Sequence, residues 1–445
     1  MLGDRIRDLY KSQQKSRTFK SESMDSESWN PINASNDQIL ESVATESAKP
    51  TLHEELVIQR DIRPYFGKQD VNRSTIGTPP DFVMLSESDG RMIKHYACTL
   101  FFDIKGSTRL SLLYELEDVV AIKNTVIKTC IEVIRSLDGH VHRLMGDAVM
   151  AFFGSKHTCE EDAIADALNC CVTLKAVIEN GIKPWLEDEI GIDDLGFRIG
   201  CDFGKNEDVI WTNYGFNSVG EVTATGLSVD MASKLQNLSK KNHVMLGQGL
   251  IEQIDWPDEL SKIKESNEGP QTHVKPNITR RDGTRLDYKM RLLNYDKFLM
   301  FSALPIHYRK NISGRVTSQK EMSFFCSLDP NGSEIYHSAS KFLEKNTDLF
   351  FFLKAPSKRD ISYPLKVKLT KVNHGKEARE AKEEGRYPQN ECSLNFENAN
   401  RVGSDYFFFV RKEGTLYKGL HTMECTVHDA YGTKVLSDTI GVLIK

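Results

Sequence analysis

In the first two thirds of the chain, short continuous runs of hydrophobic residues alternate with stretches in which hydrophobic residues recur every three or four positions, as on one face of a helix. The run at 96–102 lies between turn residues and predicts a strand buried on both faces. Farther along, apolar residues recur every three or four positions and predict one face of a helix, namely Val119, Ile122, Val126, Cys130, Val133 and Leu137. Asp138 and Gly139 end this helix. Apolar runs on both sides of Gly146 and Asp147 then predict a β-hairpin, and 208–217 suggests a second one.

The pattern changes at about residue 301. Apolar runs of four to five residues, separated by turns, occur at 323–326, 349–353, 365–369, 406–410 and 441–444. Runs of this length predict the strands of an antiparallel β-sandwich. The first 50 residues are polar and rich in serine, which is typical of disorder. We therefore predict a polar, partly disordered N-terminal segment at 1–90, an α/β domain at 91–300 and a β-rich domain at 301–445.

Composition narrows the classes of function. A formal net charge of -5 over 445 residues argues against general nucleic-acid binding. No apolar run approaches the ~18 residues of a transmembrane helix, and the N-terminus lacks the apolar core of a signal peptide. The nine cysteines are scattered without zinc spacing, which indicates reduced thiols. We therefore expect a soluble, cytoplasmic protein that binds neither nucleic acid nor membrane.

Two carboxylates carry the candidate chemistry. Asp103 ends the first buried strand, and Asp147 lies at the tip of the predicted hairpin, so both can meet at one end of the sheet. After Asp103, a turn at Gly106, Ser107 and Thr108 would present backbone N–H groups to an anion. Paired carboxylates beside such a turn suit divalent cations and a nucleoside triphosphate. The alternative is that Asp103 only caps a helix and Asp147 only occupies a turn.

The motif Phe-Asp-Ile-Lys-Gly-Ser-Thr at 102–108, with Gly146 and Asp147 following and then Ala-Phe-Phe-Gly, resembles the catalytic domain of class III nucleotidyl cyclases. The resemblance covers about 95–255 and implies a ferredoxin-like α+β palm. It also implies that Asp103, Ile104 and Asp147 bind two Mg²⁺ or Mn²⁺ ions, in a site shared by the protomers of a homodimer. In that family the ribose 3′-hydroxyl attacks the α-phosphorus and pyrophosphate leaves.

Arg143 and Thr223 occupy the positions that select the base in the cyclase family. The adenylyl cyclases have Lys and Asp there, and the guanylyl cyclases have Glu at the first position. Arginine only donates hydrogen bonds, whereas threonine donates or accepts them, so the pair suits the carbonyl and ring-nitrogen acceptors of a pyrimidine. We expect UTP or CTP as the substrate, and the second carbonyl of uracil slightly favours UTP.

The tail at 417–425 and the segment at 371–378 resemble the C-terminal sensor domain found beside bacterial defence nucleotide cyclases. Together with the base-selecting residues, this resembles the pyrimidine cyclases of the Pycsar antiphage systems. Those enzymes make cyclic UMP or cyclic CMP, which activates a separate effector protein. The resemblance therefore implies an enzyme of antiviral defence.

Asp230 and Lys234 depart from the family motif Asn-x-Ala-Ser-Arg. Lys234 keeps a positive charge near the phosphates but lacks the bidentate fork of arginine, while Asp230 adds a negative charge. The alternative for this pair is an i,i+4 ion pair on a solvated helix face. Two other functions also stay open: an adenylyl or guanylyl cyclase with an unusual base pocket, and a nucleotide-binding homologue without catalysis.

Overall fold

The structure is a computed structural model. It describes residues 6–7, 56–87, 90–192, 195–216, 219–274, 278–279, 281–309, 317–318, 322–357, 361–395, 400–402 and 406–445. Most of the segment predicted to be disordered, residues 8–55, lies outside the described residues. None of the described helices is both long and apolar enough to cross a membrane.

The described helices are α1 (Val57–Ile62), α2 (Ser107–Leu113), α3 (Leu116–Ser136), α4 (Glu160–Val177), α5 (Lys183–Ile190), α6 (Leu227–Leu238), α7 (Gln248–Gln253), α8 (Tyr295–Phe301), α9 (Ile306–Arg309) and α10 (Lys376–Glu380). Three short 3₁₀ segments lie at Arg63–Phe66, Pro80–Leu85 and Asp258–Leu260, and a π-helical turn at Ile178–Ile182 joins α4 to α5.

The strands that precede residue 294 are β1 (Met92–Lys94), β2 (Ala97–Lys105), β3 (His140–Met145), β4 (Ala148–Phe153), β5 (Gly196–Gly204), β6 (Ile210–Phe216), β7 (Val219–Thr225), β8 (His243–Gly247), β9 (Ser261–Lys262), β10 (Lys264–Ser266), β11 (Gly269–Gln271), β12 (Ile278–Thr279), β13 (Arg285–Leu286) and β14 (Met290–Leu293). Those that follow it are β15 (Thr317–Ser318), β16 (Ser323–Ser327), β17 (Ile335–Tyr336), β18 (Phe342–Leu343), β19 (Asp348–Pro356), β20 (Leu365–Asn373), β21 (Gly385–Pro388), β22 (Cys392–Leu394), β23 (Asn400–Val402), β24 (Tyr406–Gly414), β25 (Gly419–His428) and β26 (Lys434–Ile444).

A seven-stranded sheet forms the centre of the first domain, in the order β3-β4-β2-β5-β8-β14-β9. Its first part follows the βαββαβ sequence of a ferredoxin-like unit, from β2 through α3, β3, β4 and α4 to β5. The predicted α+β palm is therefore confirmed. The apolar face of α3 is buried as the spacing indicated, with Val119, Ile122, Val126, Cys130 and Val133 each at most 2% exposed.

The second predicted hairpin was placed too early. Its strands are β6 and β7, which pair antiparallel, and Thr223 belongs to the returning strand, which begins at Val219. Trp211 and Val222 alternate with polar neighbours along these strands and are buried. The alternation of buried and polar residues continues in β7, beyond residue 217, whereas the hairpin predicted from the sequence ended at that residue.

The described residues after 316 form two packed sheets, as predicted, and their strands pair antiparallel except for β18, which pairs parallel with β26. One sheet has the order β15-β26-β25-β20-β21 and the other β17-β16-β19-β24-β23. The inward-facing residues of both sheets make one apolar cluster that includes Phe351, Leu353, Val367, Phe407 and Val427. The apolar runs read from the sequence lie within β16, β19, β20, β24 and β26.

The two domains share buried contacts. The large apolar cluster of the palm also includes Ala339, Phe342, Leu420 and Leu443 of the β-rich part. The Asn169 amide of α4 donates a hydrogen bond to the Ala339 carbonyl over 2.8 Å, with both groups buried. The sensor-like part is therefore packed against the palm.

Candidate functional site

Asp103 and Asp147 lie at the same end of the central sheet. In the pairing of β2 with β4, Asp103 stands opposite Ala148, and Asp147 directly precedes Ala148. The strand carries Asp103 there because its preceding residues, including Leu100 and Phe102, are fully buried. The structure thus brings together the two carboxylates that the sequence indicated.

The surroundings of Asp147 fit a cation. Its Oδ2 atom is buried and accepts no hydrogen bond from any residue that the structure describes. A carboxylate oxygen removed from water without a donor is unfavourable, and a divalent cation would satisfy it. Ile104 follows Asp103 in the same strand, and its carbonyl is the third predicted ligand. Among the described residues no group of three or more His, Cys, Asp or Glu side chains could hold a metal. A metal at this pair would take its remaining ligands from backbone, water or phosphate oxygens.

Two side chains that the sequence interpretation missed hold the Asp103 carboxylate. Arg198, the cross-strand partner of Asp103 in β5, donates from its guanidinium to Oδ2 over 2.5 Å. Gln236 of α6 donates to the same oxygen over 3.0 Å. The side chains of Asp103 and Arg198 are only 18% and 19% exposed, so this ion pair is largely shielded from water.

Gly200 explains how α6 reaches this site. A Cβ atom at this position would collide with the backbone of Ala232 and Gln236. Glycine therefore allows α6 to lie directly against β5, and this close approach places the Gln236 amide beside Asp103. The signal in the sequence was a glycine between two buried apolar residues of the strand, Ile199 and Cys201, which can mark a close backbone approach.

The turn after β2 has the backbone shape that the sequence indicated. Gly106 has φ 99°, a left-handed conformation that favours glycine, and the seven-residue helix α2 begins at the next residue. Ser107 is half-buried and Thr108 is exposed. Phosphate binding by Gly106, Ser107 and Thr108 stays a prediction.

Arg143 is held by a residue that the sequence interpretation did not identify. Its guanidinium makes a two-pronged ion pair with Glu221 of β7, with Nε donating to Oε1 over 2.7 Å and a second contact to Oε2. Thr223 lies two residues farther along β7 and therefore on the same face of that strand as Glu221. The two predicted base-selecting residues thus flank a carboxylate.

Asp230 and Lys234 lie in the first two turns of α6, and Asp230 is exposed. Both residues belong to the described part of the chain, and no ion pair within 4.0 Å joins them there. The alternative of an i,i+4 ion pair is therefore not supported. Their assignment to the phosphate-binding machinery stays a prediction.

The C-terminal part of the chain matches a known protein family. Residues 294–445 match the family described as the adenylyl/guanylyl and SMODS C-terminal sensor domain. A solved structure of the adenylyl cyclase CyaB from P. aeruginosa is 18% identical, covers 46% of this chain and 95% of its own, and has a TM-score of 0.38.

Sequence relatives that cover nearly the whole chain include two cytidylate cyclases. A cytidylate cyclase from Escherichia coli is 38% identical and spans 90% of both chains. A cytidylate cyclase from Staphylococcus aureus is 32% identical and spans 88% of both. Because identity at this level extends across both domains, this chain belongs to the cytidylate cyclase family of nucleotide cyclases.

Proposed function

We propose that this protein converts CTP into 3′,5′-cyclic CMP and pyrophosphate. The relatives that span nearly its full length are cytidylate cyclases. The observation that carries the choice of base is the ion pair between Arg143 and Glu221. UTP, which the sequence slightly favoured, becomes the second choice.

The chemistry of this ion pair suits cytosine better than uracil. Ionised Glu221 only accepts hydrogen bonds, and it matches the exocyclic N4 amine of cytosine, which is a donor. Arginine has five N–H donors, so those not used by Glu221 remain available for the N3 and O2 acceptors of cytosine. Uracil presents a carbonyl in place of the N4 amine, and this carbonyl would face the Glu221 carboxylate. Thr223 supplies a hydroxyl on the same strand face.

The carboxylates of Asp103 and Asp147, with the Ile104 carbonyl, would hold two Mg²⁺ or Mn²⁺ ions. When bound, such ions neutralise the triphosphate and lower the pKa of the ribose 3′-hydroxyl. Gln236 orients the Asp103 carboxylate. Arg198 places a positive charge beside it that would also attract the triphosphate. Lys234 would supply a further positive charge.

A homodimer is part of this proposal. The helices that follow Asp103 expose a run of large apolar side chains: Leu112, Leu113, Leu116 and Val120 are 80%, 60%, 68% and 58% exposed. Exposed apolar residues gathered on neighbouring elements mark interaction surfaces. A second protomer packed here would lie beside the two carboxylates and could complete the site.

The product would act as a signal on a separate effector protein, as in the antiphage systems that the sequence resembles. Phage plaque counts test this role in cells that express the protein with and without its effector. Equal plaque counts in both would contradict it.

Glu221→Gln tests the assignment of the base. Glutamine can donate a hydrogen bond to the O4 carbonyl of uracil, so we expect the ratio of kcat/KM for CTP to that for UTP to fall roughly tenfold or more. Glu207→Gln is the matched control because Glu207 is an exposed carboxylate in the same domain, and it should leave the ratio unchanged. An unchanged ratio in Glu221→Gln would show that Glu221 does not read the base.

A further inference from the structure

The inner face of the β-sandwich becomes polar at one end. Along most of their length, the inward-facing rows carry buried apolar residues, namely Leu365, Val367 and Leu369 on β20, Phe407 on β24, and Val427, Cys425 and Met423 on β25. Every second residue farther along each of these strands faces the same side, and these positions include Lys371, Asn373, Glu413 and His421. Polar residues at core-facing positions are unfavourable unless they have partners or a function.

These four polar side chains surround a cavity of about 160 Å³, together with Phe351 and Tyr417. We call it the sandwich-end cavity. An engineered protein cavity of roughly 150 Å³ holds one benzene molecule. The sandwich-end cavity therefore has room for a single planar ring system, and the aromatic rings in its wall suit a flat ligand.

The charged side chains that line the cavity have partners within the protein. The Lys371 ammonium lies 3.3 Å from the Glu413 carboxylate, and the Gln389 amide donates to that carboxylate over 2.6 Å. Asn373 donates from Nδ2 to the Glu383 carbonyl, which leaves its Oδ1 atom free to accept. The exposed Glu383 carboxylate also lines the cavity and accepts a hydrogen bond from the Tyr417 hydroxyl. Because the charged groups already have partners within the protein, the site favours an uncharged ligand with both donors and acceptors.

His421 contributes a neutral ring in a fixed orientation. Its Nε2 donates to the Tyr417 carbonyl over 2.8 Å, and its Nδ1 accepts from the His374 backbone N–H over 3.4 Å. Burial lowers the pKa of His421 to about 4, so the ring is neutral at physiological pH. With both nitrogens engaged, its remaining contribution to a ligand is its flat face.

We propose that the sandwich-end cavity binds an uncharged nitrogen heterocycle of nucleobase size. The ring would lie among Phe351, Tyr417 and His421, and its polar edge would meet Lys371, Glu413 and Asn373. This ligand site lies within the C-terminal domain. The match to a sensor family does not indicate where in that domain a ligand binds.

The cavity is connected to the palm by a short segment at 373–376. Asn373 lines the cavity, and the next residue, His374, donates to His421. The His374 ring lies 3.8 Å from the Glu259 carboxylate of the palm. The backbone N–H of Lys376 donates to the carboxylate of Asp255, two residues after α7. A ligand that shifts this segment would therefore alter its contacts with the palm. We call the resulting effect on the rate of cyclisation the transmission, and it rests on the proposed function.

Binding is tested with the full chain and three free bases, cytosine, uracil and adenine, by ligand-detected NMR and calorimetric titration without metal. We expect at least one base to bind. Leu416 is 53% exposed and lines the cavity, so Leu416→Trp should block it without disturbing the core and weaken binding at least tenfold. Val410→Trp, at a 37% exposed position of β24, is the matched control and should bind normally.

Lys371→Met gives a second check that does not depend on filling the cavity. It removes one polar partner, while Glu413 keeps its contacts with Gln389 and Arg411, and it should weaken binding severalfold. Failure of all three bases to bind would overturn the proposal. Binding that Leu416→Trp leaves unchanged would overturn it too, because the base would then lie elsewhere.

The transmission is tested by the rate of cyclic CMP formation at saturating CTP, with and without the base that binds. The wild-type rate should change at least twofold, and Asp255→Ala should bind the base but lose this response. A wild-type rate of cyclic CMP formation that is unchanged by a bound base would refute the transmission. Absence of any cyclic CMP would count against the proposed function instead, while the titrations would still decide whether the cavity binds a base.

Discussion

At the scale of single residues, Asp103 and Asp147 have different surroundings although they serve one predicted site. Asp103 is neutralised by Arg198 and hydrogen-bonded by Gln236. Asp147 has a buried oxygen that receives no hydrogen bond within the described part of the chain. An unpaired carboxylate of this kind destabilises the metal-free fold, whereas a paired one does not. The two aspartates should therefore respond differently to removal of their charge.

Asp147→Asn should abolish cyclisation, by at least a hundredfold, while the melting temperature of the metal-free protein stays unchanged or rises. Asp103→Asn should be equally inactive but less stable by about 1–3 kcal/mol, because Arg198 loses its anionic partner in a shielded place. Calorimetry in a chelating buffer and initial rates with Mn²⁺ give both quantities. A rate above about one hundredth of the wild-type rate in either variant, or equal losses of stability, would contradict this account.

The two carboxylates could be predicted because each follows an apolar run whose length fixes where a strand ends. Their partners could not. Arg198, Gln236 and Glu221 are separated from the residues they contact by 95, 133 and 78 positions along the chain. Such contacts depend on strand order and helix packing, and no local pattern encodes them. Glu221 changed the interpretation most, since it altered the expected base.

At the scale of secondary-structure elements, Asp202 joins β5 to its neighbours. It is fully buried, and its carboxylate accepts hydrogen bonds from the Tyr288 hydroxyl over 2.5 Å and from the Leu250 N–H of α7 over 3.2 Å. Burial raises the pKa of Asp202 to about 7, although these hydrogen bonds oppose the rise. Its protonated form is therefore favoured in the folded state.

The direction of the resulting pH dependence follows from linkage. The unfolded chain has an Asp pKa of about 3.9, so the stabilising effect of the proton is present below about pH 4 and is lost as pH rises toward 7. Through Asp202, the free energy of unfolding should fall by on the order of 2–4 kcal/mol over this interval. Denaturant titrations between pH 4 and 8 should show a smaller decline for Asp202→Asn. The exposed control Asp258→Asn should match the wild type, and identical slopes for all three proteins would refute the assignment.

Helices and strands with a clear period were well predicted. The helical spacing from 119 to 137 corresponds to α3, and the buried run at 96–102 lies within β2 apart from its first residue. The predicted bounds of the second hairpin, 208–217, were wrong because its second strand, β7, begins only at Val219. The polar end of the sandwich was not recognised either, since alternation in β20 and β25 identifies a face but not which residues meet across the two sheets.

At the scale of the whole molecule, the palm and the sandwich share an apolar core, so the predicted boundary at residue 300 does not separate two free units. The palm still presents exposed leucines on α2 and α3. We expect these to be covered in a homodimer. Sedimentation equilibrium should show a dimer for the wild type and a monomer for Leu112→Glu combined with Leu116→Glu.

A matched control for the dimer is Tyr431→Glu, because Tyr431 is 85% exposed but lies in the turn between β25 and β26. This variant should remain dimeric. A wild type that sediments as a monomer at micromolar concentration, or a double variant that still dimerises, would exclude this surface as the interface.

Identification of the product tests the central claim most directly. The purified protein is incubated with equimolar CTP, UTP, ATP and GTP and Mn²⁺, and the products are identified by mass spectrometry, with Asp147→Asn as the inactive control. We predict 3′,5′-cyclic CMP as the dominant product, accompanied by pyrophosphate and absent from the control. A cyclic purine nucleotide as the dominant product, or no cyclic nucleotide at all, would contradict the account.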